Sequence, residues 1–464
     1  MTIDIEDAKT AGLLYRLGDR PPVAPSVLAA IQHVLASIVG IVTPTLVIGG
    51  ALVLGEHVPY LISMALVVSG VATLIQCRRI GPVGSGLLSL QGTSFAFLGA
   101  ILAAGFAVKA RGGTPEEILA MIFGLCLAGC LVEIGLSQII GRLGRIITPT
   151  VTGIVIAVIG LSLVKVGFTD LAGGYGAEDL GSLLNLGLGL FVILVIVATS
   201  FAKSAMVRLS AVLIGLLAGL AASAMLGLVD FARLGGQDLF AVPVPLKFGL
   251  DFDLGLFLPI AFIYLITAIE TTGDLTANSV IAGEPVEGPI YLKRIQGGVL
   301  GDGINSGLAA LFNTFPNTTF SQNNGVIQLT GVASRHVGFY IAGILVLLGL
   351  FPIIGAVFTL IPKPVLGGAT LILFGSIAVA GIRILASQPI TRKSIYVMAL
   401  AFGFGLGVAL VPDALAGLPD VLQNVLGSPI TISGLVAILA TLVLPEDSQV
   451  VPATQPVASA EPAE

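Results

Sequence analysis

The chain has no tryptophan, three cysteines and three histidines in 464 residues, and only 10% of it is charged. A soluble globular domain carries about 25% charged residues. With 56% hydrophobic residues and a mean hydropathy of +1.05, the chain reads as a polytopic membrane protein. Without tryptophan, any aromatic belt at the membrane surface falls to tyrosine and phenylalanine. The cysteines Cys77, Cys126 and Cys130 are odd in number and sit in apolar runs, which argues against a disulfide framework or a metal cage. Cys126 and Cys130, one helical turn apart, read as small packing residues. No P-loop, no His-Glu-x-x-His and no metal-spaced cluster occurs. ATP drive, hydrolase chemistry, a bound metal, an organic cofactor and a nucleic-acid partner are therefore not expected. The first 20 residues hold seven charged side chains and no apolar core, so a cleavable signal peptide is not expected either.

What is abundant is apolar sequence in blocks of about 20 residues, the length that spans a bilayer as helix. Such blocks fall at 26–54, 58–76, 87–107, 118–140, 146–166, 183–201, 207–229, 256–280, 295–313, 320–333, 337–361, 364–385, 394–412 and 429–445. The third and tenth are interrupted by polar residues. Fourteen crossings with both termini cytoplasmic put fifteen of the 21 lysines and arginines on the inner side and six on the outer, the expected sense of bias. The outer six include Lys109, Lys165 and Lys363. The expected class is an all-α polytopic membrane protein. Glycine, 60 residues, suits close helix contact and broken helices. Residues 1–25 read as a cytoplasmic N-terminal segment. The Pro/Ala/Ser-rich stretch 446–464 reads as a disordered cytoplasmic tail.

A repeat is visible. Pro149, Gly153 and Gly160 open the fifth block, and Pro364, Gly368 and Gly375 open the twelfth at the same spacing, 215 residues on. Thr93-Ser94-Phe95-Ala96 in the third block is echoed by Thr318-Thr319-Phe320-Ser321 in the tenth. Seven spans is an odd number, so the second unit enters from the opposite side, as in 7+7 inverted-topology repeats. Interrupted spans at matching positions of such repeats mark the substrate site. Here they are Gln91–Phe97 and the uncharged polar run Thr318–Gly325, for which the expected backbone is extended over Thr318–Ser321.

Block eight carries Thr267, Glu270, Thr271, Asp274 and Asn278 on one helix face. Intramembrane carboxylates normally face a cavity or pathway. The alternative is a solvated helix end, with Asp274 at the rim near Glu284. Asp302 lies among glycines of block nine as a proton carrier or a helix brace. His33 in block one reads more simply as a packing residue than a functional one, and Glu133 in block four as structural. Glutamate, glutamine, asparagine and backbone, with Phe95 or Phe97 to stack, suit a flat heterocycle with several donors and acceptors. The lack of arginine in the expected core weighs against an anion carrier. A same-fold small-anion transporter, a membrane-embedded enzyme and a passive channel remain alternatives.

The run Gln322-Asn323-Asn324-Gly325-Val326-Ile327-Gln328-Leu329-Thr330 resembles the signature of the nucleobase–ascorbate transporters, nucleobase:cation symporter family two. So do Glu270-Thr271-Thr272-Gly273-Asp274, Gln32-His33, Gln91-Gly92-Thr93-Ser94-Phe95 and Asp19-Arg20-Pro21-Pro22. The resemblance implies a core domain in two parts, 26–140 (spans one to four) and 256–361 (eight to eleven). It implies a gate domain also in two parts, 146–229 (five to seven) and 364–445 (twelve to fourteen). Short extended segments in spans three and ten, a homodimer, proton or sodium symport and elevator-type alternating access in the inner membrane follow from the same resemblance. Substrate binding falls to Glu270, Gln322, Phe95, Asn323, Ser94 and Ser321, and coupling to Glu270, Asp302, Asp274 and His33. Gln322 resembles the xanthine/uric acid branch, with uracil or another nucleobase as the alternative. Ser94 would leave room for a C8 oxygen.

Overall fold

The computed structural model describes residues 12–141, 148–234 and 240–445. The expected inner-side residues Lys9, Arg142 and Arg145 and the tail 446–464 lie outside the described residues, as does most of the N-terminal half of segment 1–25.

Every one of the fourteen apolar blocks contains a helix. In order they are α1 (Val23–Leu52), α2 (Val58–Arg78), α3 (Leu98–Ala110), α4 (Pro115–Ile139), α5 (Pro149–Leu171), α6 (Leu183–Ser200), α7 (Ala211–Met225), α8 (Leu254–Ile281), α9 (Gly288–Leu311), α10 (Ser321–Thr330), α11 (Val337–Gly349), α12 (Lys363–Ala386), α13 (Arg392–Leu410) and α14 (Pro429–Val443). Two three-residue strands, β1 (Gln91–Thr93) and β2 (Asn317–Thr319), precede α3 and α10. Eight helices among the described residues are long and apolar enough to cross a membrane. The chain is a multi-pass membrane protein.

Local chemistry starts and stops these helices. Thr114 and Glu117 form a reciprocal capping box at α4, satisfying two orphan N–H groups. Asp253 caps α8 by accepting from Gly255 N and Leu256 N. Gly331, at φ +69°, ends α10 after ten residues, in the left-handed conformation glycine adopts without strain. Block eleven, expected as one span, is instead bent by 74° between α11 and the helix Pro352–Thr359. Proline has no N–H and disfavours helix at the residue before it, which places the break at Phe351. Blocks three and ten are likewise part strand and part short helix. The extended stretch of block ten stops at Phe320, and Ser321 already opens α10.

Glycines set which helices touch. A Cβ on Gly160 would lie 2.3 Å from Ala378 N, and one on Gly381 would lie 2.3 Å from Ala157 N. One on Gly367 would lie 2.0 Å from Leu171 N. Helices α5 and α12 therefore run antiparallel with their backbones in contact. Gly303 and Gly307 seat α9 on α4 at Ile134 and Cys130, and Gly70 and Gly349 seat α11 on α2. Helices α1–α4 and α8–α11 pack chiefly on one another. So do α5–α7 and α12–α14, with α8 lying against α5 and α14.

Candidate functional site

Irregular backbone at membrane depth must be satisfied by protein, and this requirement builds the site. β1 and β2 pair antiparallel, with Gln91 opposite Thr319, Gly92 opposite Thr318 and Thr93 opposite Asn317. Ser94 N donates to Pro316 O at 2.8 Å and Phe320 N to Leu90 O at 3.0 Å, extending the pairing at both ends. Leu88 O, in the loop before β1, accepts from Asn278 Nδ2 at 2.8 Å and from Asn323 Nδ2 at 2.7 Å. Gln91 N donates to Thr73 Oγ1 at 2.9 Å, and Asn317 N to Ser306 Oγ at 3.1 Å. Because the strands are antiparallel, α3 and α10 leave the ladder in opposite directions. Their N-termini, with their partial positive charge, flank it.

Gly92 allows this closeness. A Cβ there would lie 2.4 Å from Phe320 Cζ and 2.8 Å from Ile41 Cγ1. The Phe320 ring rests on Gly92 and on Gly40 of α1, whose Cβ would lie 2.9 Å from it.

Beside the ladder is a cavity of about 40 Å³ lined by Glu270 and Asp274 of α8, by Thr318 to Gln322, and by Phe95. Its opposite wall is apolar: Ile156 and Ile159 from α5, and Ile377, Ala380 and Ile384 from α12. Phe95 is held edge-on to Phe374 of α12 at 5.5 Å between centroids. Among the described residues, no lysine or arginine lines the cavity. Carboxylates removed from water without a cation are held neutral by protons or satisfied by donors of a ligand. Glu270 Oε2 has no hydrogen-bond partner. Asp274 Oδ2 is 3.4 Å from Thr319 Oγ1, itself 3.4 Å from Thr271 Oγ1. Thr271 in turn donates to Asp302 Oδ2. Two hydroxyls thus link the carboxylate at the cavity wall to the carboxylate behind it.

Of the expected site residues, Glu270, Asp274, Phe95, Ser321 and Gln322 meet at this cavity. Ser94 does not line it; its Oγ accepts from Ala96 N at 3.3 Å and shapes the turn into α3. Asn323 lies behind, bracing Leu88 O. Asp302 is fully buried on α9. His33 is fully buried on α1 beside Asn323. Asp274 is 7% exposed, which excludes the solvated-rim alternative. The isoleucines of α5 and α12 were not foreseen. Their signal was the Pro/Gly repeat, which marks those helices but not the faces they present.

Three comparisons bear on this site. The sequence model of the Permease family matches residues 25–414. The chain is 43% identical to xanthine permease XanP of Escherichia coli over 450 residues, covering 96% of this chain and 97% of XanP. It is 43% identical to xanthine permease XanQ of the same species over 447 residues, covering 95% of this chain and 96% of XanQ. Among solved structures, the fold resembles the transmembrane domain of the cyanobacterial bicarbonate transporter BicA, with TM-score 0.58 at 17% identity, covering 86% of this chain and 97% of BicA's. It also resembles murine Slc26a9, an anion transporter in the inward-facing state, with TM-score 0.57 at 11% identity, covering 86% of this chain and 69% of that one. The chain is thus no enzyme but a membrane permease, and it belongs to the nucleobase–ascorbate transporter family, as its motifs suggested.

Proposed function

We propose that the chain imports a purine base, xanthine or uric acid, together with a proton, across the inner membrane. The observation that carries this reading is the meeting of Glu270 and Gln322 at one cavity whose far wall is aliphatic. Gln322 supplies a donor and an acceptor on one amide, and Glu270 an acceptor on the other side. Together they match the edges of an oxopurine, while Phe95 and the isoleucines cover its faces. Asn323 holds the first turn of α10 in place. Ser94 acts on the substrate only through the turn into α3. The 43% identity to xanthine permeases along the whole chain supports the substrate class. A small inorganic anion such as sulfate or bicarbonate is disfavoured because no basic side chain among the described residues lines the cavity.

The mechanism we infer is alternating access between two bodies. The core would be residues 26–140 and 256–361, and the gate 146–229 and 364–445. A cavity of about 40 Å³ is far below the roughly 300 Å³ at which ligand pockets begin. A purine therefore enters only when core and gate move apart. The elevator-type motion, fourteen spans in a 7+7 repeat, cytoplasmic termini and a homodimer belong to this proposal. The repeat is supported by the α5–α12 contact: shifting Gly153 and Asp170 by 215 residues gives Gly368 and Leu385. Gly153 lies against Leu385, and Gly367, next to Gly368, lies against Asp170. Proton coupling would use Glu270, Asp274 and Asp302, with His33 tuning Asn323; sodium is the competing coupling ion.

Uptake of labelled xanthine in cells tests the site. Glu270→Ala and Gln322→Ala should each abolish uptake at normal surface expression, and unchanged uptake in either removes that residue from the site. Coupling is read separately. Uptake that ignores a protonophore and follows a sodium gradient overturns the proton.

A further inference from the structure

Glu133 is fully buried in α4, and neither carboxylate oxygen has a hydrogen-bond partner. Such a group is costly in a membrane protein and persists where it has a task. Its place is set by two close helix contacts. Gly129, one turn earlier, admits the Tyr264 ring of α8, whose hydroxyl donates to Cys126 O at 2.9 Å. Gly303 admits Ile134, the residue after Glu133, against α9 directly beside Asp302. Asp302 of α9 and Glu270 of α8 are the charged groups that face Glu133, with Thr267 of α8 beside them. Cys130 is its titratable neighbour on α4. Helix α3 brings only Lys109, which lies at the opposite end of α4 and is bonded to Leu52 O. Asp302 Oδ1 also lacks a partner. The cluster thus has two fully buried carboxyl groups from different helices, open positions on both, and no cation among the described residues.

We propose that Glu133 and Asp302 together form a proton store behind the substrate site, and that Glu133 is a coupling residue. This rests on the proton-symport reading above. Two buried carboxylates on facing helices with no cation beside them among the described residues do not both stay ionised, so a proton from the outer aqueous phase adds to an oxygen of one of them. The Thr271–Thr319 hydroxyls connect Asp302 to Asp274 at the cavity wall, so loading of the store is sensed at the purine. Release of the same proton to the inside resets the pair. Glu133 touches no substrate; it acts through Asp302 and Glu270.

The test uses the full-length protein reconstituted in proteoliposomes. Glu133→Gln, permanently neutral, should keep xanthine exchange within about twofold of wild type while accumulation driven by an inward proton gradient falls at least tenfold. The pH dependence of xanthine binding, read by thermal shift, should flatten. Glu133→Asp should restore gradient-driven accumulation, with a displaced pH profile. Glu133→Gln with wild-type accumulation and pH profile overturns the proposal. So does equal loss of exchange and accumulation that Glu133→Asp does not restore, the pattern of a purely structural residue. If Glu133→Gln does not reach the membrane, Glu133→Asp decides: a displaced pH profile supports the store, and an unchanged one overturns it. Wild-type uptake indifferent to a proton gradient overturns the proton reading itself, and this proposal with it.

Discussion

Replacing Gly92 by alanine adds one methyl group, and the structure says where the strain must go. The new Cβ would sit 2.4 Å and 2.6 Å from two atoms of the Phe320 ring and 2.8 Å from Ile41. Ordinary carbon contact is about 3.5 Å or more, so relief requires a shift of roughly 1 Å. Ile41 closes one side and the β1–β2 ladder fixes Gly92 itself, so Phe320 has to yield. Phe320 is the residue from which α10 starts, two positions before Gln322. Overpacking of this kind costs about 1–3 kcal/mol of stability. A shift of about 1 Å at a positioned group costs up to about 100-fold in activity. Gly92→Ala should therefore lower the unfolding midpoint modestly but weaken xanthine binding and uptake by one to two orders of magnitude, on the order of 10–100-fold. Isothermal titration and uptake in proteoliposomes measure this. Gly325→Ala is the control, since nothing lies within 4 Å of a Cβ there. It removes the glycine penalty of about 1 kcal/mol in helix α10 without crowding Gln322. Wild-type binding in Gly92→Ala, or equal loss in Gly325→Ala, refutes the idea that Gly92 sets the position of α10.

Other outcomes follow from the same geometry. Asn278→Ala and Asn323→Ala should each cost about 1 kcal/mol in thermal or denaturant unfolding, because each removes one donor from Leu88 O. The double variant should cost more than the sum, because it strands a buried carbonyl; strict additivity would refute the shared-acceptor reading. Asp253 lies outside the spans, and its hydrogen bond from Arg111, aided by backbone N–H groups at the start of α8, holds its carboxyl below the usual value. A depressed pKa contributes stability above the unfolded value that is lost as pH falls through the folded one. Asp253→Asn should therefore lower stability by a constant amount near neutrality and flatten the profile only below about pH 4; a changed slope near neutrality would refute it.

Much of the architecture was legible because hydropathy is local. Each apolar block carries its own reason to be helical in lipid, and each of the fourteen contains a helix. The interruptions were legible too, since Gln91–Phe97 and Thr318–Gly325 are polar where neighbours are not. The bend before Pro352 was missed because the run on both sides is uniformly apolar. Ser94 and Ser321 look alike as hydroxyls next to a phenylalanine. One turns inward on its own backbone and the other reaches the cavity, a difference set by where the helix starts. Glu133 read as structural because nothing in its own segment tells which helices will surround it.

By itself the sequence determined the membrane setting, the order of helices, the broken third and tenth segments and the family, all properties of short windows or of motifs. Only the tertiary structure decided that β1 and β2 pair and that Leu88 O takes two asparagines. It also decided that α5 and α12 wall the cavity with isoleucines, and that Glu133 stands behind Asp302. These pairings join residues tens to hundreds of positions apart. Close approach between glycine-lined helices selects them, and no local preference of the chain encodes that approach.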